Sequence, residues 1–380
     1  MTKRSIPTVG IIGAGQLARM MIQASISLGI ECRILAKSLD DSAALISPNV
    51  EIGDPDDPIA IEAFAKKCDV VTLDHELVNA EGLKLAIEAG IPVRPTPETL
   101  RYAQDKLYQR NQFTTLGLRV PKFKALVDES DLLDFGSDVG WPLVVKSATG
   151  GYDGHGVWIV HSKADGQALL EQLWGNGLRI FGEELIDIQM ELAVLLARRT
   201  TGEIAMYPVV ETYQKDGICH EASIPAAISD EIRASAENVA TIIGEHIEVE
   251  GIMAVELFLD SEGQLTVNEI ATRPHNSGHL TIDGCSTSQF ENHMRAVMNW
   301  PLGSATPIKN SAVMVNILAA GEKNPLASMP DSQSTDTAIH LYGKIPREGR
   351  KIGHVTSIGD DRADVAPRAR SIASKLRGDS

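Results

Sequence analysis

The chain has 380 residues, 43% of them hydrophobic and 23% charged, with a formal net charge of −16. That length exceeds one ordinary core and predicts two or three domains, no apolar run approaches the ~20 residues of a membrane span, and the acid excess opposes duplex nucleic acid as a partner. Cys32, Cys68, Cys219 and Cys285 form no C-x-x-C pair and the N-terminus lacks a signal-peptide pattern, so neither a zinc site, a disulfide framework nor export is expected, and the cytoplasm is.

TVGIIG (8–13) reads as a short apolar strand, GAGQL as a glycine turn, and Leu17, Met20, Met21, Ala24 and Leu28 recur at helical spacing until Gly29. ECRIL is a second strand, and this β-α-β opening continues through DVVTLDHE (69–76) and a helix around Gly82–Ala89. Three prolines in IPVRPTPETL cannot continue a helix or a central strand, so the first domain is read as residues 1–103. Gly13 and Gly15 lie between strand and helix, where backbone N–H groups can meet an anion. A dinucleotide fingerprint fits with Ala18 at its third position, but the expected ribose-binding acid is missing where Ala36 and Lys37 follow Leu35, and Asp40 and Asp41 come late. A nicotinamide site is therefore disfavoured. A phosphate site and a ligand-free turn both stay open.

The middle region, 104–305, begins with a helix over Asp105–Leu116. Strands follow in WPLVVKSA, HGVWIV and two hairpins that turn at Thr200–Gly202 and Ser261–Gly263. Lys146 immediately precedes SATGGYDGHGV, whose glycines let a strand–loop–strand flap press main-chain N–H groups on phosphate oxygens. This is not a P-loop, and Tyr152, Asp153 and His155 are more than a flexible loop needs. In the second hairpin, pairing Leu259 with Gln264 sets Glu256 opposite Val267, with Glu269 a diagonal neighbour ~7–8 Å away on the same face. Two such carboxylates repel unless a cation lies between them, and Mg²⁺ accepts one or two carboxylates plus phosphate oxygens. A solvated sheet face is the ordinary alternative, which the apolar run MAVELFL opposes.

Asn268 has the opposite parity but lies in the last strand residues, within reach of a second metal or a phosphate. Glu183 and Glu191 flank an apolar connection of the kind that holds an adenine edge and a ribose, although surface acids are the default reading of such a spacing. Arg273, His275, Asn276, Ser277 and His279 follow at once: a guanidinium for phosphoryl charge and imidazoles for protons or oxyanions. Residues 306–380 form a short mixed segment with strands near SAVMVNIL and AIHLYGK and a basic helical tail.

GAGQLARM, VVTLDHE, GGYDGHG, the acids of VELFL and NEI, RPHNSGH and the late GRKIGH together resemble the N5-carboxyaminoimidazole ribonucleotide synthetases, ATP-grasp enzymes of purine biosynthesis. The resemblance covers nearly the whole chain. It implies an α/β architecture (α+β overall): a Rossmann-like pre-ATP-grasp domain at 1–103, an ATP-grasp domain at 104–305 with a flap at about 122–182, and a small C-terminal domain at 306–380, as a homodimer. It implies that bicarbonate joins the exocyclic amine of 5-aminoimidazole ribonucleotide while MgATP becomes ADP and phosphate, through carboxyphosphate. The alternatives are a sister ATP-grasp ligase such as formate-dependent glycinamide ribonucleotide transformylase, or a non-catalytic nucleotide-binding protein.

By position, the resemblance gives Lys106 and Lys146 to the ATP phosphates. Gly151, Tyr152, Asp153, Gly154, His155, Gly156 and Val157 become the flap. Glu183, Glu184, Leu185, Ile186 and Glu191 hold adenine and ribose, with Gln214 near ATP, while Glu256 and Glu269 ligate Mg²⁺ beside Asn268. Tyr152, Asp153, Arg273, His275 and Asn276 map to the bicarbonate and aminoimidazole region, the last four as catalytic groups. Glu76 lines the imidazole, and Gln16, Leu17, Arg350 and Lys351 belong to the substrate nucleotide, chiefly its phosphate. Two positions depart from the pattern: residue 155 is often Lys or Arg in such proteins and is His here, and Gln214 replaces a frequent histidine.

Overall fold

The computed structural model describes residues 6–151, 156–329 and 335–377. Its first unit contains β1 (Thr8–Ile12), α1 (Gln16–Leu28), β2 (Glu31–Ala36), β3 (Val50–Ile52), α2 (Pro58–Ala65), β4 (Val70–Leu73) and α3 (Ala80–Glu88). The strands form a parallel sheet in the order β3-β2-β1-β4, and their continuous apolar runs suit burial on both faces. α1 buries Leu17, Ala18, Met20 and Met21 on one side of the sheet and ends at Gly29, whose φ of 67° only glycine adopts without strain.

α4 (Pro97–Gln104) leads into α5 (Lys106–Thr115), where Asp105 caps the helix by accepting from Tyr108 N at 2.9 Å. A second unit follows: β5 (Phe123–Leu126), α6 (Glu129–Val139), β6 (Leu143–Ser147), β7 (Val157–Val160), α7 (Lys163–Gly175) and β8 (Ile180–Glu184). Its antiparallel sheet runs β5-β8-β6-β7, backed by Leu132, Phe135, Leu170 and Leu173 from the two helices.

The largest sheet gathers β9 (Ile188–Arg198), β10 (Ile204–Met206), β11 (Val210–Lys215), β12 (Ile218–Ile224), β13 (Gly251–Asp260), β14 (Leu265–Ala271), β15 (Ser311–Leu318), β16 (Thr337–Leu341) and β17 (Lys351–Gly359). The strands of the C-terminal segment extend the central sheet, because β12 pairs with β15. α8 (Asp230–His246) covers the sheet beside β9 and β13; α9 (Thr281–Gly284) and α10 (Gln289–Val297) lie before β15, and α11 (Arg362–Arg377) closes the chain. Arg362 and Arg370 fasten α11 to Glu211 and Glu221 through paired hydrogen bonds of 2.6–2.9 Å.

One expected register is corrected. Leu259 pairs with Leu265, and Glu256 lies directly opposite Glu269 rather than opposite Val267. Asn268 is an extra residue in β14, a bulge between Glu269 and Val267 that strict alternation cannot register.

Candidate active site

Two main-chain joins bring the phosphate-binding candidates together. Lys106 N donates to Ala148 O at 2.8 Å and Asp105 bridges Thr149, so the start of α5 abuts the end of β6, which carries Lys146. The buried Lys146 ammonium sits 2.6 Å from Glu183 Oε2 and donates to Asn268 Oδ1 at 3.3 Å. Glu183, expected beside adenine, is 2% exposed, and its other oxygen accepts Arg110 Nε at 2.5 Å. Burial alone would push its acid up, but Arg110 and then Lys146 outweigh that and hold it below the usual carboxylate range. Burial pulls the Lys146 ammonium down, and Glu183 opposes the shift.

The bulge turns Asn268 toward the same place. Its Nδ2 donates to Glu256 Oε2 at 3.3 Å, and Glu256 Oε1 stands 3.2 Å from His275 Nε2. Burial, then the facing carboxylates of Glu269 and Glu191, push the Glu256 acid up to about 8. Glu269, against its own desolvation, is held at about 2, chiefly by Lys106 at 2.5 Å. Hydrogen bonds join Lys146 to Asn268 and Asn268 to Glu256, the contact of Glu256 with His275 extends the chain, and a hydrogen bond carries it from His275 Nδ1 to Ser277 Oγ at 2.8 Å. Gln289 clamps the His275 backbone from both sides, accepting from its N–H at 2.8 Å and donating to its carbonyl at 2.7 Å.

Among the described residues no group of three or more His, Cys, Asp and Glu side chains could hold a metal alone. The Glu256–Glu269 pair nonetheless fits a hard cation completed by phosphate oxygens, because two opposed carboxylates that resist joint ionisation are what such an ion relieves.

Arg273 Nε donates to Glu76 Oε2 at 2.5 Å, joining the loop after β4 to the segment after β14. Glu76 Oε1 is buried with no hydrogen-bond partner among the described residues. Gln104 fixes that loop by donating to the carbonyls of Glu76 and Val78. Asn276 and Asn316 on β15 exchange amide hydrogen bonds of 3.0 and 2.7 Å, so the C-terminal segment also reaches the site. Glu191 on β9 is raised by burial and partly relieved by a hydrogen bond with Gln214 on β11. Glu184 accepts from Lys122 N, and exposed Leu185 and half-buried Ile186 form the connector to β9.

The glycine turn before α1 holds a carboxylate of the protein itself. Asp74 accepts from Gly15 N at 2.6 Å and Ala18 N at 2.7 Å. A Cβ on Gly15 would lie 2.5 Å from Asp74 Oδ2, so the glycine serves this internal contact, and a dinucleotide pyrophosphate would have to displace it. No hydrogen bond of the described residues uses the Gln16 and Leu17 N–H groups. Lys344 donates to Gln16 Oε1, a cation that motif reading passed over. Arg350 instead turns back to Ile345 O at 2.9 Å, and Lys351 opens β17.

Gly151 and Gly156 border the expected flap, Ser147 N donates to Gly156 O at 2.9 Å, and Val157 begins β7. Tyr152, Asp153, Gly154 and His155 lie outside the described residues. Arg110, Gln289, Asn316 and Lys344 escaped the sequence reading, as did the internal role of Asp74, which shares the LDHE acids with Glu76. For Arg110 alone a weak signal existed, its place one helical turn after Lys106.

Three family models match successive stretches: the ribonucleotide synthetase preATP-grasp domain (6–104), the ATP-grasp domain (111–290) and the phosphoribosylaminoimidazole carboxylase C-terminal domain (312–368). The N5-carboxyaminoimidazole ribonucleotide synthase of Mycobacterium tuberculosis is 41% identical, the match covering 97% of this chain and 88% of that protein. A solved ADP complex of an N5-carboxyaminoimidazole ribonucleotide synthetase is similar at a TM-score of 0.89 and 32% identity over 98% of both chains. The Aspergillus clavatus N5-carboxyaminoimidazole synthase, solved with ADP and 5-aminoimidazole ribonucleotide, gives 0.88 and 29% over 98% of both.

Proposed function

Because the chain belongs to the N5-carboxyaminoimidazole ribonucleotide synthase family of ATP-grasp ligases, we propose that it carboxylates 5-aminoimidazole ribonucleotide with bicarbonate, converting ATP to ADP and phosphate. The observation that carries this reading is the continuous chain Lys146–Asn268–Glu256–His275, which ties a phosphate-binding cation to an imidazole suited to bicarbonate.

A bicarbonate oxygen attacks the γ-phosphorus and the bond to the β-γ bridging oxygen breaks, releasing ADP and leaving carboxyphosphate. Lys106 and Lys146 offset charge on the phosphate oxygens, with Arg273 beside them. Mg²⁺, held by Glu256 and Glu269, supplies further neutralisation of phosphate charge when bound. Ser277 fixes the His275 ring through Nδ1, and Nε2, which contacts Glu256, is the nitrogen that holds the bicarbonate when it is bound. The exocyclic amine then bonds to the carboxyl carbon, directly or after CO₂ is released, phosphate departs, and the amine proton leaves with it. Glu76 Oε1, an acceptor without a donor among the described residues, is the group we assign to the aminoimidazole, together with Asp153. The Gln16 and Leu17 N–H groups, Lys344 and Lys351 serve the substrate phosphate, and the flap at 151–157 keeps water from the activated carboxyl group. We assign the enzyme to the cytoplasm as a homodimer. Its four cysteines form no disulfide among the described residues, which suits a reducing compartment, and none of the described helices is long and apolar enough to cross a membrane.

Labelled bicarbonate tests the assignment. ADP release should require both bicarbonate and 5-aminoimidazole ribonucleotide, and the label should appear in the carbamate product. Turnover with formate and glycinamide ribonucleotide in their place would move the chain to the sister activity.

A further inference from the structure

Arg110 has no part in the chemistry above, yet it is the largest fully buried side chain of the molecule's described residues, at 0% exposure. It donates Nε to Glu183 at 2.5 Å and Nη1 to Gln109 Oε1 at 3.0 Å, while Nη2 is buried without a partner among the described residues. A buried guanidinium is a poor way to stabilise a core, and a hydrophobic side chain of similar volume would serve packing at least as well. Its place is better explained by charge.

A single buried carboxylate needs one counter-charge, and Glu183 has two, Arg110 and Lys146. The three groups together carry one uncompensated positive charge. Arg110 is enclosed and its Nε is committed to Glu183, whereas Lys146 also reaches Asn268 at the rim of the site. We propose that Arg110 is a positioning residue that neutralises Glu183, so that the charge of Lys146 remains available to the phosphates of ATP. Without Arg110, Glu183 and Lys146 would form a closed neutral pair with nothing left for the nucleotide. The proposal rests on the ATP-dependent reading given above.

The test is a double-variant comparison. Arg110→Met should raise the KM for ATP about 10- to 100-fold, the range spanned by one charge-assisted contact, with the KM values for bicarbonate and 5-aminoimidazole ribonucleotide moving less than about threefold. In a Glu183→Gln background no carboxylate remains to be neutralised, so adding Arg110→Met there should change the ATP value less than about threefold, and Arg110→Lys in the parent should retain most of the affinity. A purely structural role would make Arg110→Met as damaging in that background as in the parent. An unchanged ATP KM in Arg110→Met, or an equal loss in both backgrounds, overturns the proposal. Should Arg110→Met fail to fold in the parent, the double variant is compared with Glu183→Gln alone: equal ATP affinity by calorimetry supports the proposal, and a further loss sinks it. A parent enzyme that binds ATP but never carboxylates the aminoimidazole nucleotide would instead sink the functional reading, and the nucleotide titrations would still judge Arg110.

Discussion

The buried Asp74 and the half-buried pair Glu256–Glu269 are acids set beside backbone irregularities, a glycine turn in one region and a β-bulge in the other. Asp74 accepts two N–H groups at the positive end of α1, so its charge is met by the protein itself. Glu256 meets a second carboxylate, one amide and one imidazole, and its acid rises to about 8. The contrast separates two uses of the same chemistry. An acid whose partners are all internal fastens the fold, while opposed acids leave a charge problem that a bound cation resolves.

The largest effect expected from this contrast is on turnover. Glu256→Gln or Glu269→Gln should slow ATP-dependent carboxylation by about 10²–10³-fold, the size of a lost transition-state electrostatic contact, in initial-rate assays of ADP release. Glu256→Gln should melt no lower than the parent in calorimetry, because it removes a like-charge repulsion, whereas Glu269→Gln also gives up its pairing with Lys106 and should melt no higher. A turnover within a few-fold of the parent would erase the distinction. Asp74→Ala should behave the other way. It leaves the Gly15 and Ala18 N–H groups without their acceptor, which costs about 1–3 kcal/mol in urea unfolding, while the KM for ATP stays near the parental value.

Glu76→Gln sharpens the comparison between the loop that Asp74 anchors and the site it serves. It should raise the KM for the aminoimidazole nucleotide about tenfold, the effect of weakening one charge-assisted contact, with ATP unaffected. Equal losses for both substrates would show that the loop acts only through the fold.

His293 lies between the two regions, bonded to Thr72 of β4 at 2.8 Å and accepting from Ile252 N of β13 at 3.1 Å. Burial pushes its pKa down to about 3, whereas the unfolded chain protonates near the ordinary value of 6.5. Folded stability is therefore fully present above pH 6.5 and falls as the pH drops toward 3, with a slope of up to about 1.4 kcal/mol per pH unit from this residue. Urea midpoints between pH 7 and 5 should show that fall, and His293→Gln should flatten it. An identical slope in the variant would remove His293 as its source.

Much of this was legible in the chain because it is local. Apolar runs marked β1, β4 and β13, periodic Leu and Met residues marked α1, and glycine turns marked both hairpins. Motif reading named Lys146, Asn268, Glu269 and His275, the family resemblance added Lys106, and the fold brings them into one hydrogen-bonded and ion-paired cluster with Glu183 and Glu256. The bulge at Asn268 was not legible, because alternation assumes one residue per pleat and the irregularity appears only when β14 meets β13. Neither was the tenant of the glycine turn, since Gly15 and Asp74 are 59 residues apart. The join of the C-terminal strands to β12 depends likewise on a long-range pairing, Glu221 with Val315.

Read by itself, the sequence determined which chemistry the protein can perform, because donor atoms, glycine turns and apolar periodicity are properties of residues and their near neighbours. Tertiary structure decided which of those groups are already satisfied. Asp74 is answered by a helix end, Glu183 is shared between Arg110 and Lys146, and Glu256 is set against Glu269. The physical reason is that desolvation and charge pairing depend on distances between residues far apart in the chain, and only folding sets those distances.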